Sequence, residues 1–174
     1  MESAPVQVGT SQVADLHRLL RARAATVATA ESLTGGRLAS LLTAVSGASA
    51  VYLGGVVSYA TRVKVDLLGV EQALVDSFGV ISAECARAMA DGARARLGAD
   101  YALSTTGVAG PQTQDGHPVG TVFIALSGPA GTSAQRLALT GDRLQIAEGA
   151  CLAALSLLRA ELTDVGADRC SRGE

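Results

Sequence analysis

The chain has 174 residues, 48% apolar and 17% charged, which suits one domain with one core and is too apolar for a disordered segment. A net charge of -2 supplies no global field for a polyanion, which argues against nucleic acid as the main partner, although a local cationic pocket can hold one phosphate. No basic start leads into an apolar run, and no stretch approaches the roughly 18 apolar residues of a membrane span, so a cytoplasmic protein is expected.

Periodicity predicts a helix over 11–24, with Val13, Leu16, Leu19 and Leu20 on one face, and a short strand over 26–30. Glu31-Ser32-Leu33-Thr34-Gly35-Gly36 is a polar glycine turn, after which Leu38, Leu41, Leu42 and Val45 give helical spacing over 37–45. The run 51–59 reads as a buried strand, Lys64 lies in the segment that follows to 68, and a short helix covers 71–78. Ser82 is placed to cap a long helix over 83–97 that Gly98 stops. A strand over 100–105 opens into Thr106-Gly107-Val108-Ala109-Gly110-Pro111. Strands over 119–127 and 133–139 then form a hairpin about Gly128-Pro129, and a last helix runs over about 143–162. One domain is thus expected over 11–162, with flexible tails at 1–10 and 163–174.

Strands separated by helices predict an α/β fold: a three-layer α/β/α sandwich around a mostly parallel mixed sheet with a late antiparallel hairpin. Ligands gather beyond strand ends in such sheets, which singles out the loops 31–36, 59–64 and 105–111. In the first, Glu31, Ser32, Thr34, Gly35 and Gly36 read either as ordinary caps of the next helix or as an oxyanion or phosphate site, and the Walker spacing is absent. In the third, Thr105, Thr106 and Gly107 either line a pocket or make a structural turn. Arg143 opens the last helix, as a fork for phosphate or a partner for a neighbouring acid.

Of fourteen basic residues thirteen are arginine, and Lys64 is the only lysine. Arginine does not release its proton in proteins, whereas a partly desolvated lysine can become a neutral base. Lys64 is therefore either a leftover surface cation or the base for a hydroxyl, a task in which lysine can replace histidine. His17 and His117 read as surface residues with no acid placed to orient them. Cys85 and Cys151 read as small core residues. With Cys170 they make an odd, widely spaced set that supports neither a disulfide framework nor a metal site.

Five strings occur in order: Ala30 to Gly36, Leu53-Gly54-Gly55-Val56-Val57-Ser58-Tyr59, Thr106 to Pro111, Pro118-Val119-Gly120-Thr121-Val122, and Gly141-Asp142-Arg143. Together they resemble the CinA C-terminal domain family, which includes nicotinamide mononucleotide deamidases, from about residue 11 to residue 162. The resemblance implies an amidohydrolase that makes nicotinate mononucleotide and ammonia in pyridine nucleotide recycling, without metal or cofactor. It also implies a stand-alone form and a homo-oligomer. By the same resemblance Ser32 is the nucleophile and Tyr59 and Lys64 its proton-handling partners. Amides of the turn 34–36 would hold the oxyanion, and Thr34, the Thr106-Gly107 turn and Arg143, the last reaching across a subunit interface, would hold the substrate phosphate.

The chain departs from the family pattern at Leu33, where cysteine is usual, at Thr61 in place of asparagine, in the loop Gln112-Thr113-Gln114-Asp115-Gly116, and at Ala147 in place of arginine. These departures bear on substrate contacts and leave two further readings: a non-catalytic nucleotide-binding or competence-associated interaction module, and an amidase for another small amide.

Overall fold

The structure, a computed structural model, describes residues 10–170. Helix α1 (Thr10–Ala22) buries Val13, Leu16, His17 and Leu20, which follow one another at helical spacing along a single stripe. His17, expected at the surface, is fully buried because it lies one turn from Val13 on that stripe.

Strand β1 (Val27–Glu31) is buried throughout, as befits the middle of a sheet covered on both faces. It pairs in parallel with β2 (Tyr52–Val57) on one side and β3 (Tyr101–Gly107) on the other. Strands β4 (Thr121–Gly128) and β5 (Gly131–Ala138) extend the sheet as an antiparallel hairpin, giving the order β2-β1-β3-β4-β5. Since β4 alone is reversed, the sheet is mixed but mostly parallel in direction.

Alternation along the strands sorts their side chains into two layers. Val27, Leu103, Val122 and Ile124 pack with α1, α2 (Arg37–Thr43) and α6 (Arg143–Cys170). Ala28, Ala30 and Ala102 face the other way, towards Cys85, Met89 and Ala93 of α5 (Ala83–Leu97). The short helices α3 (Thr61–Asp66) and α4 (Gln72–Phe78) lead into that second layer through Leu68 and Val70. The result is the expected three-layer α/β/α sandwich. Ser82 Oγ accepts the Cys85 N–H at 3.1 Å, and Gly98 ends α5 in the left-handed conformation.

Helix α6 continues to Cys170 rather than ending near 162. The apolar stripe stops at the buried Leu162, but no proline follows to terminate the helix. The segments 1–9 and 171–174, expected as tails, lie outside the described residues. Among the described residues no helix is long and apolar enough to cross a membrane.

Candidate active site

The parallel pairing sets Glu31 opposite both Val57 and Thr105, so the chain leaves β1, β2 and β3 at the same edge of the sheet. This places the three loops singled out in the sequence side by side. The Ser32 N–H donates to the Thr105 carbonyl at 2.9 Å and the Ser58 N–H to the Glu31 carbonyl at 2.7 Å, tying the three strand ends together.

Glu31 is 1% exposed and turns into the protein, where its carboxylate closes the start of α2. One oxygen accepts from the Gly36 and Leu38 N–H groups, each at 3.0 Å, and from the Thr34 hydroxyl at 2.7 Å; the other accepts from the Ala39 N–H at 2.8 Å. Thr34 has thus spent its proton on Glu31, so the Thr105 hydroxyl, 2.7 Å away, donates to Thr34. Gly36 holds φ at 97°, a conformation other residues adopt only under strain. These contacts commit the Glu31 carboxylate, the Thr34 and Thr105 hydroxyls and the Gly36 N–H to one another. They are buried or committed beneath the turn, and what they do is fix the turn that presents Ser32.

Lys64, on α3, is 1% exposed and reaches that turn from the far side. Its Nζ lies 3.0 Å from Ser32 Oγ and donates to the Ser58 carbonyl at 2.6 Å. No carboxylate forms an ion pair with it among the described residues. Desolvation therefore holds its pKa below the ordinary lysine value, with the nearby Cys85 acting weakly in the opposite direction. A neutral amine fits both contacts: an N–H for the Ser58 carbonyl, and a lone pair for the Ser32 hydroxyl. The Ser58 carbonyl was missed in the sequence, where only its place at the end of a predicted strand pointed to it.

Above this pair opens a cavity of about 370 Å³, lined by Ser32, Leu33, Tyr59, Thr61, Lys64 and Arg143 together with residues 106–114. Gly107 has no room for a side chain, since a Cβ would fall 2.4 Å from the Thr121 carbonyl oxygen. Thr106 lines the cavity, but its hydroxyl donates to the Val80 carbonyl at 2.7 Å. Tyr59 is 64% exposed, and its hydroxyl is 3.4 Å from Arg143 Nη1. Among the described residues Tyr59 makes no hydrogen bond to Ser32 or Lys64, whose contact is direct, the first of the two routes expected for the proton, directly or through Tyr59. Arg143 also donates to the Gly110 carbonyl and lines the cavity of its own chain.

The departures fall on the same walls. Leu33, Thr61, Gln112, Thr113 and Gln114 line the cavity, while Gly35 and Ala147 line a groove beside it. Cys85 and Cys151 are buried, and burial pushes their thiols up to about 11 and about 12, which makes them poor nucleophiles. His117 lies across a tight turn from Gln114, with which it exchanges backbone hydrogen bonds.

A family model described as the CinA C-terminal domain matches residues 10–162. A CinA-like protein of Frankia casuarinae is 55% identical over 141 residues, covering 81% of this chain and 33% of its own length. A putative competence-damage inducible protein of Levilactobacillus brevis is 47% identical over 144 residues, 82% and 35% of the respective lengths. The chain thus spans about a third of the curated relatives it matches. Among solved structures, a CinA superfamily protein of Klebsiella pneumoniae superposes with a TM-score of 0.86 at 33% identity, covering 89% of this chain and 98% of that one. A competence/damage inducible protein of Agrobacterium tumefaciens gives 0.85 at 32% identity, covering 94% and 99%.

An α/β sandwich that buries a lysine against a serine at the ends of its parallel strands is the class of protein defined by this fold and site. The chain belongs to the CinA C-terminal domain family.

Proposed function

We propose that the chain is an amidohydrolase that converts nicotinamide mononucleotide into nicotinate mononucleotide and ammonia. The observation that carries this reading is Lys64 Nζ, buried without an acidic partner and 3.0 Å from the Ser32 hydroxyl, at the floor of a ligand-sized cavity. Membership of a family that includes such deamidases supplies the substrate.

The neutral amine of Lys64 takes the Ser32 proton as Oγ attacks the carboxamide carbon, forming a tetrahedral intermediate. Because the Gly35 N–H is held by the Ser32 carbonyl and that of Gly36 by Glu31, the Leu33 and Thr34 amides are left to face the oxyanion. The intermediate collapses as the ammonium of Lys64 gives its proton to the leaving nitrogen, and ammonia departs. Lys64, neutral again, takes a proton from water. The resulting hydroxide cleaves the acyl-serine ester, and the proton returns to Ser32. Glu31 and Thr34 hold the nucleophile's turn throughout. Tyr59 and Arg143 stand at the mouth, where the nucleotide's anionic end would leave the cavity.

The test is ammonia release from nicotinamide mononucleotide by the purified protein. Turnover should fall roughly a thousandfold or more in Ser32→Ala. Equal rates for the two proteins, or no ammonia from either, would end this reading.

A further inference from the structure

The last two residues of β3 before Gly107 point to opposite sides of the sheet. Thr105 meets Thr34 on the α2 side, and its carbonyl accepts the Ser32 N–H at 2.9 Å. Thr106, 1% exposed, points to the α5 side, where its hydroxyl donates to the Val80 carbonyl at 2.7 Å. One strand end thus holds the nucleophile's turn on one face and the crossing from α4 to α5, residues 79–82, on the other.

Helix α4 buries none of its residues, and the chain leaves it at Gly79 with φ at 73°, a conformation that favours glycine. The Ser82 hydroxyl donates to the Gly79 carbonyl at 2.9 Å, and Ile81 is buried. Val80 and Ile81 line the catalytic cavity with Lys64, and Val80 packs on the cluster that holds Leu68, Val70 and Cys85. The Val70 N–H donates to the Lys64 carbonyl at 3.1 Å, and Cys85 acts on the Lys64 amine. The crossing, the buried lysine and the first turn of α5 are therefore one packed unit.

We propose that Thr106 is a positioning residue: its hydroxyl clamps the crossing against the Lys64 side of the cavity and keeps water from the amine. Without that hydroxyl the Val80 carbonyl is left unpaired, and it regains a partner only by turning to water. The crossing then opens on the Lys64 side, hydration favours the ammonium, and less free base is present at a given pH. Of the ionisable groups nearby, the Cys85 thiol is pushed up to about 11 and stays neutral below it. Glu31 is turned to α2, and Arg143 and Tyr59 contact each other at the cavity mouth. The role of Lys64 as a base rests on the amidohydrolase reading, whereas its shielding by Thr106 does not.

Thr106→Val keeps the shape of the side chain and removes the hydroxyl; Thr106→Ser keeps the hydroxyl. In a first arm, kcat/KM for nicotinamide mononucleotide is followed against pH. The rising limb should move up by about half a pH unit or more in Thr106→Val and lie within about 0.2 unit of the parent in Thr106→Ser. A lower rate with an unmoved limb marks a merely structural role and overturns the proposal.

The second arm needs no turnover. Lys64 is the only lysine, so labelling by acetic anhydride followed by peptide mass spectrometry reads a single side-chain amine. The midpoint of labelling against pH should move up by the same amount in Thr106→Val, with a plateau roughly threefold higher or more as the amine opens to solvent. Thr106→Ala also lacks the hydroxyl and should behave alike, so either variant that keeps the parent's circular dichroism spectrum decides. A moved midpoint in a protein that releases no ammonia supports the clamp and ends the amidohydrolase reading. An unmoved midpoint, with ammonia still released, overturns the clamp alone.

Discussion

At the scale of single residues, the proposed chemistry turns on the protonation of one amine. Lys64 is buried and, among the described residues, hydrogen-bonds only to a hydroxyl and a carbonyl, so its charged form gains no ion pair to offset desolvation. Arginine at the same position would stay charged and could accept no proton. Lys64→Arg is therefore expected to lower kcat by roughly a thousandfold or more while the protein stays folded, as read by steady-state kinetics and circular dichroism. The proposed mechanism needs the deprotonated amine, so kcat/KM for the parent should rise with pH and level off below the ordinary lysine value of 10.5, since burial lowers that pKa. A rising limb that persists in Lys64→Arg would assign the titration to another group. In the sequence Lys64 stood out because it was solitary. For Glu31 the sequence leaves two readings open, because an acid beside a glycine turn looks the same whether it faces ligand or helix. Its direction followed from its odd or even place in β1, which sends it to the α2 side.

At the scale of elements, α1 and α2 show how much a short segment depends on its surroundings. Helix α2 has seven residues, too few to persist alone, and its first turn is held by the buried Glu31 carboxylate. Helix α1 packs by a stripe that includes His17, both of whose ring nitrogens are buried without a hydrogen-bond partner among the described residues. Desolvation lowers its pKa from 6.5, the Arg21 charge adds to this, and the Leu42 carbonyl pulls weakly the other way without meeting hydrogen-bond geometry. The unfolded chain thus binds a proton that the folded one resists, so His17's share of stability is intact above pH 6.5 and declines as the pH falls below it. Denaturant melts at pH 7 and pH 5 should show a smaller loss for His17→Leu than for the parent. An equal loss in both would clear His17 of the effect. The stripe was legible in the spacing of Val13, Leu16 and Leu20; reading His17 as surface gave chemical type precedence over position.

At the scale of the whole molecule, a site assembled from three strand ends and the start of α6 couples binding to global stability. For the Ser32→Ala protein, nicotinamide mononucleotide at about a hundred times its Kd should add about 2.7 kcal/mol and raise Tm by about 5–10 °C, measured by scanning calorimetry. No shift at a concentration that saturates a binding isotherm would mean that the ligand holds the unfolded chain equally well.

What the amino-acid order determined by itself was local or compositional: the succession of strands and helices, the apolar stripes, the cap at Ser82, the lone lysine and the five strings of the CinA C-terminal domain. Periodicity and capping act within a few residues, so they survive without the rest of the fold. Only the tertiary structure decided that β1 lies between β2 and β3, bringing Ser32 to Lys64 while turning Tyr59 outward to Arg143 and Glu31 inward to α2. Those partners are set by strand order, register and burial, which join residues far apart in the chain and leave no mark on any one segment.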